Sequence, residues 1–413
     1  MIRFPTQALL PLAALIGAGC SGTSSAAQNA TAPAPAPVVS RDLPENAPVD
    51  PSLKNIPATV GQANLAPSAP PFTITQTGKF TSPFAIAFLP DGRLLVTEKP
   101  GHLKLRATNG SVTEISGVPA TAQVGQGGLL DVEVAPDFAA TRRIYLSYSE
   151  PRPQGSSLAL ATATLGATAL EDLQVIWRAG SDGPGGQFGA NIAFAPDGQS
   201  LFLSSGERQR FSPAQDPDQA LGKILHLTLD GKPAPGNPPG NFGASSGGVR
   251  AATWSTGHRN PYGLSFDSAG RLWEIEMGPR GGDELNLILP GRNYGWPIVS
   301  NGDNYSGQPI PDQPSRPDLE APKLWWKPSI SPGGLIIYSG SMFPAWKGSA
   351  FIAALSGEAL IRVTLNGDTA APADQWRMGM RIRDIAQAPD GAIWLLEDGK
   401  GANGRLFRIT PKG

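Results

Sequence analysis

Short apolar runs, broken by proline, aspartate and glycine, recur along most of this chain. Residues 84–98, Phe-Ala-Ile-Ala-Phe-Leu-Pro-Asp-Gly-Arg-Leu-Leu-Val-Thr-Glu, read as strand, tight turn, strand. Proline presets φ for such a turn and glycine accepts the positive φ it requires, so Pro90-Asp91-Gly92 suits a hairpin. The pattern returns at 132–137 with 144–148, at 192–205 around Pro196-Asp197-Gly198, at 264–275 around Asp267 to Gly270, and at 385–397 around Pro389-Asp390-Gly391. The turn aspartates lie 46, 60, 70 and 123 residues apart, and the last interval holds two repeats. Apolar segments 333–339 and 350–355 supply the missing copy. Six units of about 55–60 residues, each a small antiparallel sheet, predict an all-β, six-bladed β-propeller over residues 72–413. A pair of β-sandwiches is the alternative, disfavoured by a repeat that runs through the whole domain. Propellers bind ligands at the mouth of the central channel, so chemistry is expected on the loops between blades.

Composition agrees with many short strands. Glycine (50) and proline (42) make up 92 of 413 residues, and charged residues only 16%. That balance disfavours helical bundles. A net charge of -1 gives no overall field for nucleic acid or an anionic membrane. The single cysteine, Cys20, excludes an intrachain disulfide and a cysteine zinc site. There are three histidines, His102, His226 and His258.

The first residues read as an export signal. Arg3 is followed by an apolar stretch at 8–16, too short to span a bilayer, then by Gly17-Ala18-Gly19 before Cys20. Residues 1–20 are thus expected to be a signal peptide, of the lipoprotein type if Cys20 is lipidated and an ordinary secretory signal if that cysteine is incidental. Residues 21–71 carry ten prolines and no aromatic residue, which predicts a disordered tether. The protein is expected outside the bacterial cytoplasm, periplasmic or held to the membrane only through Cys20.

Four loop segments carry candidate chemistry. Gly125-Gln126-Gly127-Gly128-Leu129-Leu130-Asp131 approaches a strand, as does Gly185-Gly186-Gln187-Phe188-Gly189-Ala190-Asn191. Gly257-His258-Arg259-Asn260-Pro261 puts a planar cation and an amide at a rigid turn, suited to bidentate binding of carboxylates or to pairing with a neighbouring Asp. Gly278-Pro279-Arg280-Gly281-Gly282-Asp283-Glu284 offers oxygen ligands to a hard cation, or simple loop packing.

These motifs, with Leu221-Gly222-Lys223-Ile224-Leu225, Asn293-Tyr294-Gly295-Trp296-Pro297 and Arg381-Ile382-Arg383-Asp384, resemble the glucose/sorbosone dehydrogenase family over essentially residues 72–410. The resemblance implies a six-bladed propeller that uses pyrroloquinoline quinone (PQQ) and Ca2+ to oxidise sugars. It implies cofactor contacts from Arg259, Asn260, Arg381 and Arg383, and Ca2+ ligation by the backbone of Gly278 and Pro279. A planar tricarboxylate calls for such arginines and a divalent cation.

Two positions depart from the family pattern. Gln187 stands where the family has its catalytic histidine, and an amide is not basic near neutral pH. Ser356 stands where a cofactor-contacting lysine is usual. Glu207 is the nearest acidic candidate for a replacement base. Two functions follow as expectations. One is PQQ-dependent oxidation of an aldose at C1 to the lactone, with Gln187 and Arg259 at the reacting centre and electrons passed to an external acceptor. The other is a non-catalytic envelope propeller that keeps a cofactor- or sugar-binding pocket. A lactonase-type propeller is a third, minor option, since it needs a tight metal cluster of Glu, Asn and Asp that no motif in the sequence shows.

Overall fold

The computed structural model describes residues 61–238, 248–399 and 403–412. The expected signal, Cys20 and the tether as far as residue 60 lie outside the described residues. The chain forms six four-stranded antiparallel sheets. Their innermost strands are Pro83–Phe88, Leu129–Val134, Gly189–Phe194, Pro261–Phe266, Pro332–Ile337 and Ile382–Gln387. Each packs beside the next and the sixth returns to the first, so this is the six-bladed all-β propeller expected. The degenerate fifth copy is present as Pro332–Ile337 and Ala350–Ala354. Among the described residues no helix is long and apolar enough to cross a membrane.

The repeated turn has one design. Gly92 donates to the Leu89 carbonyl at 3.0 Å, Gly198 to Ala195 at 2.8 Å and Gly391 to Ala388 at 2.9 Å. In each the preceding aspartate accepts the backbone N–H two residues on. The glycines sit at φ 85°, 69° and 84°, where a Cβ would strain the turn. The Asp267 turn is a variant: Asp267 occupies the first position of the turn, and its Oδ2 accepts from the indole of Trp273.

Ring closure comes from the N-terminal strand. Phe72–Phe80 is the outermost strand of the sixth blade and pairs with Gly404–Pro411. Phe72 is buried edge-on against Trp346 and Trp376 of the fifth blade. The expected tether ends earlier than its composition predicts. Gly61 and Ala63 pair with the backbone of Trp325, and Ser68 with those of Gln375 and Arg377. Ala63 is buried. These residues use the open outer edges of the fourth and fifth blades, satisfying backbone groups that proline-rich composition cannot reveal. Between those blades Trp273 and Trp326 are fully buried with Ile352 and Ile361.

The six innermost strands line an axial channel of about 490 Å3. Asp131, Glu133 and Asp384 face it. Burial pushes all three carboxyls up, Asp131 to about 7 and the other two well above their usual range, with repulsion from Asp131 adding to the effect at Glu133 and Asp384. A carboxyl whose pKa is raised by folding binds its proton more tightly in the native state. It therefore lends stability that is complete below the usual carboxylate range and lost as pH rises through the raised value. Glu133→Gln removes one of these ionisations and is expected to leave melting temperature unchanged near pH 4 and raise it at pH 8. Thermal melts across that range check this, and a Glu133→Gln melting curve parallel to that of the parent would refute it.

Candidate functional site

In an antiparallel blade the chain enters the innermost strand at the end where the second strand passes into the third. The expected site residues obey this rule. Gln187 precedes Gly189–Phe194, Arg259 and Asn260 precede Pro261–Phe266, and Arg381 precedes Ile382–Gln387. Gly278 and Pro279 link Leu272–Glu276 to Asp283–Ile288, and Ser356 links Ala350–Ala354 to Ala359–Asn366. All therefore gather at one mouth of the ring, opposite the repeated hairpin turns.

A belt of contacts joins them. Gln187 sits at φ 54° and donates its backbone N–H to Gln126 Oε1 at 2.6 Å. Tyr262 donates its hydroxyl to the same oxygen at 3.1 Å. The Gln187 amide is oriented by its neighbours: its oxygen accepts from the Arg259 guanidinium at 2.8 and 3.3 Å, and its nitrogen donates to Glu207. Arg259 also donates to the carbonyls of Met277 (3.0 Å) and Gly278 (2.6 Å) and to the Tyr305 hydroxyl (3.1 Å), and lies over the Trp296 ring. Its Nε is buried with no partner. Asn260 Oδ1 accepts from Gly189, tying the third blade to the fourth.

Asp283 continues the belt. It accepts from the backbone of Gly278, Ile330 and Ser331 and from the Ser329 hydroxyl. With its oxygens so engaged, Asp283 acts as a loop staple. Ser356 donates to Ser331 Oγ at 2.8 Å and to the Ser329 carbonyl at 3.2 Å. On the far side Arg383 binds Asp398 at 2.9 and 3.0 Å and lies over Phe84 and Tyr262, while Arg381 reaches the other Asp398 oxygen at 3.3 Å. The arginines hold the Asp398 carboxyl below its usual value against the opposing effect of burial.

Beneath the Arg259–Asn260 turn lies a buried acidic set. Glu276 Oε2 accepts both of their backbone N–H groups, at 2.6 and 3.2 Å. Asn286 Nδ2 donates to Glu274, Glu276 and Glu284. Ligand atoms of His258, Glu274 and Glu276 lie within 4.8 Å of one another. Burial, then repulsion from Glu276, pushes the Glu274 and Glu284 carboxyls well up. Glu207 is 1% exposed, with Oε2 bound by the backbone of Arg210 and Phe211.

Motif reading missed the linking residues. Gln126 lies inside a motif without a role of its own, Tyr262 stands one residue past the Gly257–Pro261 loop, and Asp398 lies far along the chain in a segment that carries no motif. Only the fold shows that these groups touch.

The glucose/sorbosone dehydrogenase profile matches residues 80–408. The chain is 38% identical over 347 residues to aldose sugar dehydrogenase YliI of Escherichia coli (strain K12), covering 81% of this chain and 91% of that one. It is 25% identical over 409 residues to quinoprotein glucose dehydrogenase B of Acinetobacter calcoaceticus, covering 77% and 84%. Among solved structures, the PQQ-bound form of an aldose sugar dehydrogenase from Streptomyces coelicolor superposes with a TM-score of 0.66 at 29% identity, over 83% of this chain and all of that one. A match that runs from the strand closing the ring to the last strand of the sixth blade, supported by a relative as similar as YliI, makes this chain a member of the glucose/sorbosone dehydrogenase family.

Proposed function

We propose that the protein is a PQQ-dependent sugar dehydrogenase that oxidises an aldose at C1 to the lactone and passes the electrons to an external acceptor. The observation that carries this is the cationic mouth: Arg259, Arg381 and Arg383 converge there in a chain of net charge -1, with Asp398 alone shared by the last two. The donor set fits a planar tricarboxylate, because guanidinium forks match carboxylates and the Arg259 Nε is buried without a partner. Bound there, the cofactor would supply a quinone that takes up two electrons.

Arg259 and Asn260 would orient it from one side, and Arg381 and Arg383, with the Ser356 hydroxyl, from the other. The Gly278 and Pro279 carbonyls would hold Ca2+. Gly278 has a second lone pair beyond the one given to Arg259. The C1 hydroxyl must lose a proton as the sugar is oxidised. Gln187 can hold that hydroxyl but cannot take the proton. Glu207 stands behind Gln187, buried and engaged, so it orients the amide and does not meet the sugar. Solvent water is then the proton acceptor, and proton removal limits turnover. Export and lipidation at Cys20 would place the mouth among extracytoplasmic sugars, and Cys20→Ser is expected to move the protein from the membrane to the soluble fraction on cell fractionation.

Purified protein given PQQ and Ca2+ is expected to reduce a dye acceptor in the presence of one or more aldoses from a panel. PQQ binding without turnover would favour the non-catalytic propeller, and no PQQ binding would sink the reading altogether. Gln187→His restores a base, which typically contributes about 10²–10⁴ in rate. Its turnover should rise by up to that factor and follow a group titrating near pH ~6.5. Unchanged rates with PQQ demonstrably bound would show that proton removal is not what limits this chain.

A further inference from the structure

Lys99 follows the strand Leu94–Glu98, at the same mouth as the arginines. Its backbone is fixed on both sides, with its N–H donating to the Ser82 carbonyl at 3.0 Å and its own carbonyl accepting from Leu129 at 3.1 Å. Gly128 allows this approach. A Cβ on Gly128, which sits at φ 142°, would lie 2.3 Å from the Lys99 oxygen and 2.8 Å from its Cα and Cβ. The glycine-rich approach to the second blade thus seats the lysine.

The ammonium is part-buried, and among the described residues it has neither an ion pair nor a hydrogen bond. Its electrostatic neighbours are Arg383, Asp398 and Arg381. Three cations therefore share one carboxylate, and Asp398 already gives both of its oxygens to the arginines. Burial, then repulsion from Arg383, lowers the Lys99 pKa. An ammonium in that position gains from any carboxylate brought to it. On the opposite flank of the arginine pair, Ser356 offers only a hydroxyl.

We propose that Lys99 completes an anion-binding cluster with Arg381 and Arg383, taking one carboxylate of the polycarboxylate cofactor and supplying the charge that Ser356 lacks. The assignment rests on the PQQ reading above. The geometry makes Lys99 a binding residue on the first-blade side of the cofactor, with no part in proton transfer.

Equilibrium binding of PQQ to the full-length protein in the presence of Ca2+, followed by tryptophan fluorescence quenching, tests this. Lys99→Met is expected to weaken binding about ten- to hundredfold, the loss of one hydrogen bond between charged partners. Lys99→Arg should bind within a few fold of the parent, and the parent's affinity should fall more steeply with salt than that of Lys99→Met. Unaltered affinity and salt dependence in Lys99→Met overturn the assignment while leaving the PQQ reading intact. Weakened binding in both variants with an unchanged salt slope also overturns it, since that pattern marks a packing role. Failure of the parent itself to bind PQQ overturns both.

Discussion

Everything at the mouth depends on closing a ring of six sheets with a strand from the other end of the chain. Phe72–Phe80 completes the sixth blade by pairing with Gly404–Pro411, and Phe72 is anchored between two tryptophans of the fifth. Closure brings Ile382–Gln387 beside Pro83–Phe88, joined by the Asp384 carboxylate accepting from the Ile86 N–H at 2.8 Å. That contact places Lys99 of the first blade beside Arg381 and Arg383 of the sixth. Without it the cations would belong to the two ends of an open arc. The remaining seams use similar links, such as Asp131 to Ile192 and Ser204 to Pro261. Side chains at the seams, more than strand pairing, hold neighbouring blades in register, because the sheets themselves do not share backbone ladders.

Much of the architecture was legible because the propeller turn has a local chemical requirement. A glycine at positive φ directly after an aspartate that caps the turn can be read in three of the copies, and repetition counted the blades. The fifth blade escaped the motif for a physical reason. Its link between Pro332–Ile337 and Ala350–Ala354 is built on an aromatic cluster, with Tyr338 bonding the Gly391 carbonyl and Phe343 stacked on Trp346. No Pro-Asp-Gly is needed there. The edge pairing of Gly61, Ala63 and Ser68 was illegible for the opposite reason. Main-chain hydrogen bonds carry it, and main-chain groups leave no signature in composition.

The site was legible in parts and not as a whole. Motifs marked Arg259, Asn260, Gly278, Arg381 and Arg383, each on its own loop, but motif order cannot tell which groups touch. Glu207 shows the limit. As an acid near Gln187 it invited the role of base, yet two backbone N–H groups and the Gln187 amide consume its oxygens in a dry setting. A carboxylate so used is a fixed acceptor. It aims the Gln187 nitrogen toward itself and leaves the amide oxygen for Arg259, so one buried charge sets the direction of the whole Glu207–Gln187–Arg259 line.

A net charge of -1 conceals a separation of charge along the axis. Cations stand at the mouth: Arg259, Arg381, Arg383 and Lys99. Carboxyls line the channel behind them: Asp131, Glu133 and Asp384. The change of sign falls within a single dipeptide, Arg383-Asp384, whose first residue turns to Asp398 and whose second faces the channel. An anion arriving at the mouth is attracted there and meets repulsion deeper in, wherever the channel carboxyls are ionised. Their raised pKa values keep that repulsion weak until the pH exceeds them. Once those carboxyls ionise, the sign of the field changes between the mouth and the channel, so repulsion from below adds to the attraction that confines an anion at the rim.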